Sequence, residues 1–155
     1  MCIRDRSLTL LGSIFERSSE QQQIVNDRFN LAKKDLKLSK LALKRWFTDK
    51  YLENNPDTYE KISSILSSNN MANFLKVYEL FVRHKNDEDF QKIQSKTLIM
   101  TGEHDIGSTI EMSQQLNNVI MESELKIIKE GKHLCGIECA DEVNLSIKNL
   151  SLIHI

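Results

Sequence analysis

Asp105 and His133 are the residues whose types and spacing point to chemistry. The run Thr97-Leu98-Ile99-Met100-Thr101-Gly102-Glu103-His104-Asp105 is an apolar stretch closed by a glycine turn, and 28 residues beyond its last acid comes Gly131-Lys132-His133-Leu134. An acid just past one strand can accept the Nδ1–H of a histidine past the next, fix its tautomer and stabilise the imidazolium. The histidine is then placed to act as general base toward an attacking hydroxyl. An acid and then a histidine, in that order, form the last two members of a nucleophile–acid–histidine triad. The first member, a serine in a Gly-x-Ser-x-Gly elbow, does not occur in the sequence.

Each of these residues also has a plainer reading. Asp105 beside Gly107 is a common turn arrangement, and His133 alone would be an ordinary half-exposed histidine. Their pairing at the ends of successive strands favours the catalytic reading, and Leu134 is expected to seat the imidazole against a substrate-pocket wall. Glu103 competes as the acid and is read as hydrogen-bonding support. His104 is expected to point away from Asp105, and His84 sits at a polar helix end. His133, Cys135 and Cys139 are all zinc-ligand types, but the spacing His-x-Cys-x₃-Cys matches no closed zinc module and has no fourth ligand nearby. No metal or cofactor is expected, and the cysteines read as small buried hydrophobes. Trp46 and Phe47 either line the helical side of a substrate pocket or belong to the core there.

The elements needed to position these groups follow from the period of the apolar residues. Ser7 to Ser13 reads as a buried strand leaving a sheet at Gly12. A helical region follows. Ser19 and Gln22 read as a capping box ahead of Ile24, Phe29 and Ala32. Leu36, Leu38, Leu41, Leu43, Trp46 and Phe47 form a second stripe. Pro56 after Asn55 marks a helix start whose apolar face carries Tyr59, Ile62, Ile65 and Leu66. Asn70 caps a strong amphipath of Met71, Phe74, Leu75, Tyr78, Phe81 and Val82. After Asp87-Glu88-Asp89 the period changes. Thr97–Met100 is a strand, Ser108 and Glu111 read as a capping box for a helix burying Met112, Leu116, Val119 and Ile120, Leu125–Ile128 is a strand, and Asp141 caps a last helix through Val143, Leu145 and Ile147. The closing β-α-β-α implies a parallel sheet with helical crossovers.

The 155 residues carry 21 basic and 22 acidic side chains, for a net charge of −1, and are 40% hydrophobic. That balance suggests neither nucleic acid nor an anionic membrane as partner. No apolar run approaches the roughly 18–20 residues of a membrane span. Few cysteines argue for a reducing, cytoplasmic location. The oligomeric state is not legible.

The termini have their own logic. Back-translating Met1–Arg6 gives a DNA element whose reverse complement encodes Leu-Ser-Leu-Ile-His and then Ile or Met, matching residues 150–155. Both ends resemble a transposon end used in preparing sequencing libraries, so residues 1–6 and 150–155 are set aside as adapter-derived. The natural segment is then about 7–149, expected to be cut at both ends.

Residues 93–147 resemble the C-terminal part of α/β-hydrolase-fold enzymes. The whole of 7–149 is similar to the 3-oxoadipate enol-lactonase-like branch of that family. The matching residues are Leu8-Thr9-Leu10-Leu11-Gly12-Ser13, Arg45-Trp46-Phe47-Thr48, Thr97–Asp105, Gly107-Ser108-Thr109 with Met112, and Gly131-Lys132-His133-Leu134 with Glu138; Lys96 departs from the family's usual proline. The resemblance implies a partial α/β-hydrolase fold: core strand 7–16, helical cap 17–92 and the C-terminal core 93–149. It puts the triad acid at Asp105 and the base at His133. Five strands, the nucleophile elbow and most of the oxyanion hole would lie outside this sequence, in a parent of about 250 residues. The expected activity is attack on a small ester, lactone or related carbonyl substrate, with the fragment itself inactive. An Asp-nucleophile hydrolase of the same fold, or a non-enzymatic helical interaction module over 18–84, are the alternatives.

Overall fold

The computed structural model describes residues 7–34, 38–84 and 89–152. Leu36, Asp87 and Glu88 lie outside the described residues, as do the adapter-like residues 1–6 and 153–155. Three strands, β1 (Ser7–Leu11), β2 (Lys96–Gly102) and β3 (Ser123–Ile128), form a parallel sheet in the order β1-β2-β3. Leu10 pairs with Ile99, and Ile99 in turn with Leu125. Between β1 and β2 run five helices: α1 (Ser19–Lys34), α2 (Leu38–Trp46), α3 (Asp49–Asn54), α4 (Pro56–Ser68) and α5 (Met71–Arg83), followed by a 3₁₀ turn at Phe90–Lys92. Helix α6 (Ile110–Val119) connects β2 to β3, and α7 (Cys135–Glu138) and α8 (Ala140–Leu152) close the described chain. The architecture is the expected strand, helical insertion and β-α-β-α.

The central strand explains the layering. Successive side chains on a strand point to opposite faces, so Leu98 and Met100 pack with Ile128, Cys135, Val143 and Leu150 on one side. Ile99 packs with Leu116 and Ile120 on the other. Buried on both faces, β2 reads as a continuous apolar run, as internal parallel strands do. β1 departs from the expected buried strand. Among the described residues it is an edge strand paired only with β2, none of its residues is fully buried, and Leu11 is 38% exposed.

Helix starts follow local chemistry, with informative shifts. The box of α1 lies one residue earlier than expected. Ser18 N–H donates to Gln21 Oε1 at 2.8 Å while Gln21 N–H donates to Ser18 Oγ at 3.1 Å. Gln22 is thereby released to reach across and donate from Nε2 to the Val82 carbonyl at 3.0 Å, tying α1 to α5. Phe29 of α1 meets Tyr78 of α5 edge-on, with ring centroids 5.5 Å apart. Asn70 caps α5 through Oδ1, which accepts from Asn73 N–H, and Pro56 opens α4. The cap of α6 is Thr109 in place of Ser108, because Ser108 is taken up by the loop before it. α8 starts at Ala140, so Asp141 sits in its first turn rather than at the cap. Val143 and Leu150 form its inner face, whereas Leu145 and Ile147 point outward at 58% and 39% exposure. Among the described residues no helix is long and apolar enough to cross a membrane.

Candidate active site

β2 and β3 end side by side, and the loops after them converge on one point above the sheet. Their separation is set by backbone contact: Glu103 N–H donates to the Ile128 carbonyl and His104 N–H to the Gly131 carbonyl, both at 2.9 Å. A Cβ on Gly102 would lie 2.4 Å from the carbonyl oxygens of Gly131 and Lys132, so only glycine allows this approach. Asp105 follows, 6% exposed. Its Oδ1 accepts the amides of Gly107 at 2.7 Å and Ser108 at 3.0 Å, an Asx-type turn that leaves Oδ2 free to face the neighbouring loop. There Oδ2 meets His133 Nδ1 at 2.8 Å. The acid side chain is 1% exposed and the imidazole 36%, so a buried acid holds a ring that reaches open space.

The third strand end completes the wall. Gly12 adopts φ +59°, a left-handed conformation that a side chain would strain, and an added Cβ there would sit 3.5 Å from the His133 ring. Its amide donates to the Met100 carbonyl, and its carbonyl accepts Ser108 Oγ–H at 2.7 Å. Thr101 Oγ1 in turn donates to the Ser108 carbonyl at 2.6 Å. Ser108 is thus a buried connector joining the ends of β1 and β2 around Asp105, a role that its reading as a helix cap does not capture. The signal for it lay in the Asp-x-Gly-Ser turn.

The helical layer is latched to the histidine loop. Glu138 Oε1 accepts Thr48 N–H at 2.9 Å and also Thr48 Oγ1–H, while Glu138 Oε2 accepts Lys132 N–H at 3.2 Å. Leu134 N–H donates to the Trp46 carbonyl at 3.0 Å, and Lys132 Nζ to the Lys44 carbonyl at 2.8 Å. Apart from the local Glu138–Lys132 contact, these bonds span about 90 residues of chain, so no local pattern could reveal them.

Between the strand ends and the helices lies a cavity of about 810 Å³, lined by Asp105, Gly107, Ser108 and His133 from below and by residues of α1, α2, α4 and α5 from above. Trp46 lines it. Phe47 does not, being fully buried and stacked on Tyr51 at 5.3 Å. Leu134, expected on the pocket wall, is absent from that lining and meets the helical layer through its backbone instead. His84 lines the cavity from the end of α5. His104 is exposed, and Glu103 Oε2 accepts Glu130 N–H at 3.0 Å in a supporting role. Cys135 is fully buried, with its thiol pushed up to about 11, chiefly by burial and then by the neighbouring Cys139. Cys139 Sγ faces the Lys129 carbonyl. Three arginines line the cavity: Arg45, quoted above only as part of the Arg45-Trp46-Phe47-Thr48 match, and Arg17 and Arg28, which the sequence did not single out.

No family model matches the chain. The chain is 24% identical over 111 residues to 3-oxoadipate enol-lactonase 2 of Acinetobacter baylyi, covering 72% of this chain and 41% of that protein. It is 21% identical over 145 residues to (E)-2-((N-methylformamido)methylene)succinate hydrolase of the same organism, covering 92% and 54%. Among solved structures, an enol-lactonase from Burkholderia xenovorans superposes with a TM-score of 0.85 at 19% identity, over 96% of this chain and 57% of its own. A thermophilic esterase from Thermogutta terrifontis gives 0.78 at 19% identity, over 97% and 57%. The chain spans about half the length of these relatives. Over that span the chain has the α/β-hydrolase fold, with 3-oxoadipate enol-lactonase among its sequence relatives.

Proposed function

We propose that this chain supplies the acid and base of a hydrolase acting on a small ester, lactone or related carbonyl compound, with Asp105 orienting His133. The observation that carries this is the 2.8 Å contact from Asp105 Oδ2 to His133 Nδ1 in the lining of the cavity. With Nδ1 donating to a buried carboxylate, Nε2 becomes the acceptor that takes a proton from a nucleophile and returns it to the leaving group. In this reading the nucleophile and the oxyanion hole come from residues outside this sequence, and the chain is the C-terminal part of a longer protein. Its span of about half of each relative supports that. Residues 17–92 act as the cap, with Trp46 on the substrate side. Taken alone, the chain is expected to be inactive.

The test is to sequence the source DNA upstream of the Ser7 codon and then to express the longer frame. A strand followed by Gly-x-Ser-x-Gly, with p-nitrophenyl ester hydrolysis abolished by H133A, supports the reading; an Asp at the elbow turns it to the Asp-nucleophile variant. Esterase activity of residues 7–149 alone that depends on His133 would overturn the division of labour. The helical-module alternative finds less support, since the Trp46 carbonyl accepts Leu134 N–H beside His133 and Thr48 N–H donates to Glu138 of α7.

A further inference from the structure

The loops that deliver Asp105 and His133 carry a second set of ionisable side chains, Glu103, His104 and Glu130. All three are exposed and none belongs to the cavity lining. One ligand-capable atom of each, two carboxylate oxygens and an imidazole nitrogen, lies within 4.8 Å of the other two. Glu103 and Glu130 are 27 residues apart in the chain and meet because the strand ends do. The backbone beneath them is fixed: Glu103 N–H donates to the Ile128 carbonyl and His104 N–H to the Gly131 carbonyl, both at 2.9 Å. Glu103 Oε2 is spent on the Glu130 amide at 3.0 Å, which leaves Oε1 and the Glu130 carboxylate. Among the described residues neither glutamate forms an ion pair, so two like charges face each other across the junction.

The donor set decides what would fit there. Calcium and magnesium take shells of oxygen, six or more in number, whereas an imidazole nitrogen suits zinc, nickel or cobalt. Two carboxylates neutralise a dication, and three protein ligands leave the remaining position to water. Ligands about 2.1 Å from a tetrahedral zinc ion are about 3.4 Å from one another. The three side chains therefore have to close by about 1.5 Å at most, a movement that exposed side chains make by rotation while the backbone stays in place.

We propose that Glu103, His104 and Glu130 form a surface site for a divalent transition-metal ion, and that the ion clamps together the two loops carrying Asp105 and His133. The site shares no residue with the His133, Cys135 and Cys139 set weighed from the sequence, where Glu130 stood too far from His104 to be grouped with it. Its ion is structural: it holds the stems of the two loops and touches neither member of the acid–histidine pair. The proposal does not depend on the hydrolytic reading.

Zinc chloride titrated into the full chain, followed by calorimetry and ¹H–¹⁵N spectra, tests the site. Zinc is expected to shift resonances at 103–105 and 129–131, and H104A to weaken binding by at least about tenfold, the least that losing a ligand should cost. E103Q keeps an oxygen for the Glu130 amide and E130Q keeps the volume, so both remove charge without disturbing the junction; each should also lose at least about tenfold. H133A and C139S should stay within about twofold of the parent chain. The clamp is read from amide exchange: with zinc at about 100 times its Kd, the Glu103 and His104 amides should exchange at least about tenfold more slowly. No zinc binding, binding that survives in H104A, loss in H133A or C139S instead, or displacement of zinc by an equal concentration of calcium overturns the site. Unchanged exchange at Glu103 and His104 overturns the clamp.

Discussion

Replacing Asp105 with Asn tests the acid–histidine pair without needing a nucleophile. In the parent chain Oδ1 accepts two amides and Oδ2 faces His133 Nδ1 at 2.8 Å. Asn keeps an oxygen for the Gly107 and Ser108 amides, and its Nδ2 then donates toward the imidazole, which must present a lone pair at Nδ1 and move its proton to Nε2. The fold contacts survive, so D105N should change stability by less than about 1 kcal/mol. D105A is different. It strands the Ser108 amide inside a fully buried residue, while the exposed Gly107 finds water. One unsatisfied buried donor plus the lost charged hydrogen bond is worth about 2–4 kcal/mol. Long-range ¹H–¹⁵N correlation of the neutral imidazole reports the tautomer directly. The parent chain should show the proton on Nδ1 and D105N should show it on Nε2, with urea unfolding separating D105N from D105A. A proton on Nε2 in the parent, or an unchanged tautomer in D105N, would refute the pairing as the basis of catalysis. In a longer protein bearing the nucleophile, the same substitution should lower kcat by about 10⁴, the magnitude expected when the tautomer is wrong.

Gly102→Ala should be among the most damaging small changes, because its Cβ meets two backbone carbonyls at 2.4 Å. A loss of about 3 kcal/mol in denaturant unfolding is expected, with displaced His133 resonances. Glu138→Ala removes the latch on Thr48 and Lys132 and should cost about 2–4 kcal/mol, with faster amide exchange at Thr48 than in Glu138→Gln. The Cys135 thiol, held up near 11 by burial, stays protonated in the folded chain while an unfolded thiol ionises near its ordinary value. Stability should therefore fall as pH rises above the ordinary thiol range and stop falling near 11. Alkylation of Cys135 at neutral pH should require unfolding, and rapid modification of the folded chain would contradict its burial.

Local chemistry was enough to set out much of this molecule from its sequence. Alternation between an apolar run and glycine turns gave β2 and β3, and the order strand–helix–strand required parallel pairing with helical crossovers. Pro56 and Asn70 marked helix starts because missing donors and capping oxygens act within one turn. Asp105 and His133 were legible because each follows a strand end, where side chains collect above a parallel sheet. Features that depend on residues far apart in the chain were decided only by the tertiary structure. Ser18 rather than Ser19 caps α1 and frees Gln22 for Val82, and Ser108 gives up the α6 cap to bind Asp105 and Gly12. β1 lies at the sheet edge, paired only with β2 among the described residues, although its apolar run reads like that of a buried strand. Leu134 is absent from the cavity lining and Leu145 and Ile147 face outward, since burial depends on what packs opposite and not on apolarity alone. Arg17, Arg28 and Arg45 line the cavity because three separate segments of the helical layer meet over it, and periodicity within a single helix carries no record of that convergence.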